Sequence, residues 1–204
     1  MPGAIGSRRG DHHRSTHGDL VMTQILRFDS NALVKRLDSL PPLARAEFGY
    51  RSAERLYPLY LRLATATGRG GADELRSALD ELRKDLDSGG RRLSDLRTGE
   101  LVTLCERLVP PEDTSWTEML PPAQNAAAAA AFALRCRRTG KSQEAAWAAQ
   151  QGYEAADYVA THRADVDLNA PGAEGRMLAD PVVQDELRAQ LADLRAIEAI
   201  QNSP

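Results

Sequence analysis

The sequence predicts an all-α fold, a compact antiparallel bundle of about six to eight helices, and three observations lead there. Ala, Leu, Arg and Glu, all good helix formers, dominate the 204 residues. Aromatic residues make up 5% of the chain, and no stretch alternates apolar and polar residues long enough to form a strand. Apolar residues recur instead at helical spacing, in blocks bounded by Gly and Pro. A chain of this length suits one domain and buries about 70% of its unfolded surface, so it needs no disulfide or metal to fold.

Residues 1–24 read as an N-terminal extension and 25–204 as a single helical domain. The extension is rich in Gly, Arg, His and Ser with little to bury, so disorder is expected. Arg8-Arg9 is followed by no apolar h-region or small-residue cleavage site, which argues against a signal peptide, and Met22-Thr23-Gln24 looks like a natural start. The first helix begins near Asp29 or Ser30 and places Leu33, Val34, Leu37 and Leu40 on one face. Pro41-Pro42 stops it and opens a second helix, about Pro42 to Thr67. Its broad apolar face carries Ala46, Gly49, Tyr50, Ala53, Leu56 and Tyr60, and Pro58 is expected to kink or split it.

A third helix runs from about Asp73 to Asp87 on Leu75, Leu79, Leu82 and Leu86. A short helical stretch around Ser94 precedes a separate helix from about Gly99 to Leu108. Between Pro110 and Pro122 lies a polar connection that Trp116 and Met119 dock on the body. The fifth main helix follows Pro122 and continues to about Arg138, with six consecutive alanines, Ala126 to Ala131. It lets neighbours approach closely, so it belongs at the centre. The sixth, about Ser142 to Thr161, has a small-residue face from Ala145 through Gly152 to Val159, suited to packing on the alanine helix. A polar loop from His162 to Gly175 leads to a last helix capped by Asp180 with Pro181 at its first position.

The composition excludes several functions. With 26 basic against 29 acidic residues, net charge −3, no broad basic field draws nucleic acid. No run approaches the roughly 18 apolar residues of a membrane span, so membrane association is not expected. Cys105 and Cys136 fit no metal or redox spacing and read as small buried hydrophobes in a reducing cytosol. There is no Glu-x-x-His pair for a di-iron bundle. His12, His13 and His17 fall in the extension, and His162 reads as a helix C-terminal charge. No nucleophile elbow, phosphate-cradling loop or dinucleotide fingerprint occurs. Gly68-Arg69-Gly70-Gly71 follows no strand and reads as a helix stop. No metal or other cofactor is expected.

Three constellations remain. Arg51, Arg55 and Arg62 cluster on one side of the second helix, where they bind an anion or an acidic partner, or else form a solvated face that Glu47 partly neutralises. Trp147, Gln151, Glu154 and Tyr158 line up at i, i+4, i+7 and i+11 on the sixth helix, as an interface or as packing under the Trp116 loop. Glu54, Arg55, Tyr57 and Asp157 define a candidate inter-helix pocket, with a structural Glu54–Arg55 ion pair as the plain alternative.

Several segments together resemble the YjaG-like family of bacterial helical proteins, a domain of unknown function. They are the Ala53-Glu54-Arg55-Leu56-Tyr57-Pro58 core within Phe48 to Tyr60, the alanine-rich Ala123 to Arg135, and Ala145 to Val159 with Tyr153, Ala156 and Asp157. Asp180-Pro181-Val182-Val183-Gln184-Asp185-Glu186-Leu187 completes the set, so the likeness spans about Ile25 to Ala199. The resemblance implies an all-helical fold and no particular activity. The leading expectation is a cytoplasmic, non-enzymatic interaction module, homodimeric or resembling bacterial toxin-immunity proteins, whose partner is another protein or itself. The competing one is an enzyme or ligand-binding protein with its pocket around Glu54, Arg55 and Asp157.

Overall fold

Helices α1 (Ser30–Asp38), α2 (Pro42–Thr67), α3 (Ala72–Asp87), α4 (Asp95–Arg107), α5 (Leu120–Thr139), α6 (Ser142–Arg163), α7 (Ala173–Leu178) and α8 (Pro181–Gln201) build the chain, and no strand occurs among the described residues. The computed structural model describes residues 24–111, 117–163 and 170–201. Residues 1–23 of the expected extension and the docking role of Trp116 lie outside them.

Local chemistry sets most boundaries. The Asp29 carboxylate accepts the Ala32 N–H at 2.9 Å and caps α1. Pro42 opens α2, and Gly68 and Gly140 close α2 and α5 in the left-handed conformation, at φ 64° and 67°. Asp180 accepts the Val182 N–H at 2.8 Å at the start of α8. Pro58 does not split α2, which runs unbroken with Pro58 exposed, so the ring meets solvent rather than a neighbouring helix. One helix, α4, replaces the two expected around Ser94 and Gly99. The Ser94 hydroxyl accepts the Arg97 N–H at 3.2 Å, and Gly99 sits inside the helix. Within the expected His162–Gly175 loop, α7 begins at Ala173.

The alanine helix is central: α5 packs on α2, α3, α4 and α6. All its alanines but the half-buried Ala128 are buried, and they bring backbones together rather than filling space. A Cβ at Gly49 of α2 would lie 3.3 Å from the Ala133 Cα and 3.6 Å from the Ala145 Cα, so three helices nearly touch there. Larger residues of the neighbours complete the core. Leu75, Leu79 and Leu82 of α3 and Leu101 and Val102 of α4 pack with this alanine wall. Phe48, Leu37, Leu194 and Ile197 close a second cluster on Ala145, Ala146, Ala149 and Cys136. Both cysteines are fully buried, and burial pushes their thiols up to about 12.

One buried charge organises the α3–α4 connection. Asp85, 0% exposed, accepts the N–H groups of Arg92 and Leu93 at 2.7 and 2.8 Å and binds Arg137 of α5. Arg137 also donates to the Gly90 carbonyl at 2.8 Å. Burial disfavours the Asp85 anion, but the Arg137 bond and the two backbone donors outweigh it and hold the carboxyl below its usual range.

Candidate interaction surface

α5 and α6 are consecutive antiparallel helices whose small residues face inward together with Leu134, while Phe132 and Trp147 lie on the outer face. Phe132 of α5 and Trp147 of α6 meet there with ring centroids 5.4 Å apart and planes tilted by 48°. Trp147 remains 39% exposed and is the one exposed aromatic residue among the described residues. The Arg135 guanidinium lies 5.4 Å over the Phe132 ring and pairs with Glu106 of α4. The aromatic pair is therefore bordered by a cation that is already engaged.

The rest of the aromatic stripe is tied to its own helix. Gln151 Nε2 donates to Glu154 Oε2 at 3.1 Å, and Gln150 Nε2 donates to the other oxygen at 2.8 Å. Tyr158 stacks on His162 at 3.8 Å between centroids, and His162 Nδ1 lies 2.9 Å from the Tyr158 carbonyl oxygen. The Tyr158 hydroxyl is buried without a hydrogen bond among the described residues; burial first, then the charge of Glu118, raises its pKa. Four side chains of one stripe thus divide into an exposed aromatic, a self-satisfied polar pair and a half-buried tyrosine.

The arginine stripe lies against α8 along much of its length. Arg51 donates to Glu47 at 2.8 Å and to Asp193 at 3.2 Å. Arg55 forks onto Glu186 with two bonds of 3.1 Å and also binds Asp193. Glu186 reaches that position across Gly152, where an added Cβ would stand 2.5 Å from its Oε1. Gly152 therefore makes room for α8. Gln190 bonds the same Glu186 oxygen at 2.8 Å and the Ala149 carbonyl at 2.8 Å. Arg62 stays exposed and, with Arg55, lines a groove of about 410 Å³ between α2, α6 and α8. Two arginines already hold carboxylates of this chain, and the third stands apart from them.

The pocket residues are not drawn to one point. Glu54 is held by two bonds from Arg76 of α3, at 2.8 and 2.9 Å. The same guanidinium lies 4.9 Å over the Tyr57 ring. Burial opposes the Glu54 charge, yet Arg76 outweighs it and lowers the carboxyl. Neighbouring Tyr50 is pushed up to about 12, chiefly by burial and then by Glu54. Arg55, one residue on, turns to α8, so the Glu54–Arg55 pair does not form. Asp157 is half-buried on α6, its pKa raised by burial, beside a Tyr153 that stacks on Phe28 at 5.4 Å.

Asp85, Arg137, Phe132, Glu186 and Asp193 are absent from the sequence-level candidates. For two of them a signal existed: Glu186 and Asp193 stand at i and i+7 on α8, one face that matches the i, i+4 spacing of Arg51 and Arg55.

No protein-family model matches the chain, and no curated protein matches it. The fold is similar to the crystal structure of a DUF416 family protein from Shewanella baltica, with a TM-score of 0.71 over 81% of this chain and 84% of that one. The two sequences are 19% identical, so the likeness is one of fold. No helix among the described residues is long and apolar enough to cross a membrane.

Proposed function

We propose that this protein is a non-enzymatic interaction module that binds a second copy of itself through the outer face of α5 and α6. The observation that carries the reading is Trp147, displayed at 39% exposure on a fixed platform, Phe132. An anchored aromatic ring loses little conformational freedom on binding, and tryptophan is enriched among residues that dominate interface energy. Gln151 and Glu154 supply the polar rim such a contact needs. A partner of the toxin-immunity kind would use the same ring. Glu54 and Arg55 serve separate ion pairs, which gives the catalytic-pocket alternative no support.

The same reading places the protein in the cytoplasm, where two buried thiols stay reduced. It also makes the chain a member of the YjaG-like family, a proposal supported by the segment resemblance and by a fold shared with a DUF416 protein. Light scattering on the full chain and on Trp147→Ala tests the interaction. The wild type is expected to be a dimer that Trp147→Ala converts to a monomer at equal concentration. A wild type that stays monomeric at high concentration, or a dimer indifferent to the substitution, overturns the proposal.

A further inference from the structure

A cavity of about 380 Å³ opens between the end of α2, the Gly68–Gly71 turn and the segment that follows α4. Its wall is largely apolar, formed by Tyr60, Leu63, Ala64, Val109 and Leu120. The volume falls within the roughly 300–1,000 Å³ of small-molecule sites.

Hydrogen bonds hold this wall in place. The Tyr60 hydroxyl donates to the Leu108 carbonyl at 2.8 Å and accepts the Gly71 N–H at 3.4 Å, so one phenol fixes three segments. The glycine run lets the turn close on that phenol. Gly70 has φ +98°, and a Cβ there would lie 3.4 Å from the Tyr60 hydroxyl. A Cβ at Gly71 would stand 2.5 Å from Leu108 Cδ2. The run that reads as a simple helix stop is thus also one side of a chamber.

Two exposed arginines, Arg69 and Arg107, complete the lining. Their guanidiniums make no hydrogen bond or ion pair with any described residue, in contrast to Arg76, Arg83 and Arg97, which hold carboxylates of the chain. Among the described residues this lining contains no acidic side chain, while Arg107 also borders a neighbouring groove with Asp95 and Glu100. The Glu74 carboxylate lies beside Gly71, close enough that, after burial, its charge helps to raise the pKa of Tyr60. Two arginines without a carboxylate partner among the described residues, lining a largely apolar chamber, match a ligand with one anionic head and a hydrocarbon body.

We propose that this cavity binds a small amphipathic carboxylate, with its aliphatic tail against Tyr60, Leu63 and Leu120 and its head between Arg69 and Arg107. The test is calorimetric titration of the full chain with decanoate, and with decanol as the uncharged analogue. Saturable decanoate binding is expected, tighter than decanol by about tenfold. Arg69→Met with Arg107→Met, both on the surface, should remove that advantage and leave decanol binding unchanged. Ala64→Phe, which fills the chamber, should abolish binding of both, with a thermal melt to verify folding. Trp147→Ala should leave binding intact, which separates this site from the interaction face. Absence of saturable decanoate binding, equal affinity for decanol, or indifference to the double methionine variant would overturn the proposal.

Discussion

Inside the α5–α6 hairpin the side chains are mostly alanines, with Leu134 among them, and outside it stand the largest that either helix carries. Ala127, Ala133, Ala145 and Ala149 are fully buried, while Phe132 and Trp147 lie on the far side. Helix α3 is built the opposite way, with leucines inward and ion-paired Arg76 and Arg83 outward. The contrast separates two ways of making a core. In α3 the transfer of large apolar groups from water stabilises the fold. In the hairpin each methyl removes little area, and what matters is the close approach of backbones that only small residues permit. The large outer aromatics are then spare to that close packing.

The largest effect is expected where the inner side of α5 carries a charge. Asp85→Ala strands Arg137 and the Arg92 and Leu93 N–H groups, at a cost of about 3–5 kcal/mol in urea unfolding near neutral pH. The Asp85 carboxyl is depressed in the folded state, so its contribution is complete above the unfolded value of about 3.9 and fades as pH falls through the folded one. The gap between wild type and variant should therefore narrow in acid. A gap independent of pH would show that the ionised carboxylate does not hold the loop.

Ala133→Leu breaks the close-packing half of the comparison. Ala133 is fully buried with Gly49 against its backbone, and a larger side chain has no room. Overpacking should cost about 1–3 kcal/mol, or roughly 2–4 °C of melting temperature per kcal/mol in a chain of this size. An unchanged melting temperature would mean that the hairpin yields, and that backbone proximity is not what organises it. Trp147→Ala, on the outer face, should cost less, about 0.5–1.5 kcal/mol from the lost Phe132 contact, while its main consequence is on solution mass. If it destabilised the fold more than Ala133→Leu did, Trp147 would belong to the core and not to a surface.

How far the sequence reveals these features follows from the same physics. The leucine ladder of α3 and the Asp180-Pro181 start of α8 were readable because side-chain size and capping chemistry are local signals. The central position of α5 could be inferred from its alanines, but not which neighbours it touches, since a helix small on most sides has no preferred face. Gly99 was misleading: it sits within α4 near Arg138, so a residue that reads as a boundary serves proximity. Helix α7 is six residues long, with Gly172 before it and Gly175 inside, too short for periodicity to register. Among the site residues, the exposure of Trp147 and its contact with Phe132 depend on the pairing of two helices. The pairing of Arg51 and Arg55 with Glu186 and Asp193 joins positions more than 130 residues apart, beyond any local pattern.

The smallest effect is expected at a second ion pair that also ties α3 to its surroundings. Arg97 of α4 forks onto Glu81 at 2.6 and 3.0 Å, a geometry as favourable as that at Asp85, but with Arg97 46% exposed. Water already solvates both groups, and their attraction is screened by salt. A double-mutant cycle with Glu81→Gln and Arg97→Met should therefore give a coupling of about 0.2–1 kcal/mol, shrinking as salt is added. The Arg97 bond lowers the Glu81 carboxyl, so the coupling should be present near neutral pH and disappear as pH falls through that lowered value. A coupling comparable to the cost of Asp85→Ala would mean that charge geometry alone sets the strength of these ties. A small one fits the greater burial of Asp85 together with the two backbone N–H groups that it holds and Glu81 does not.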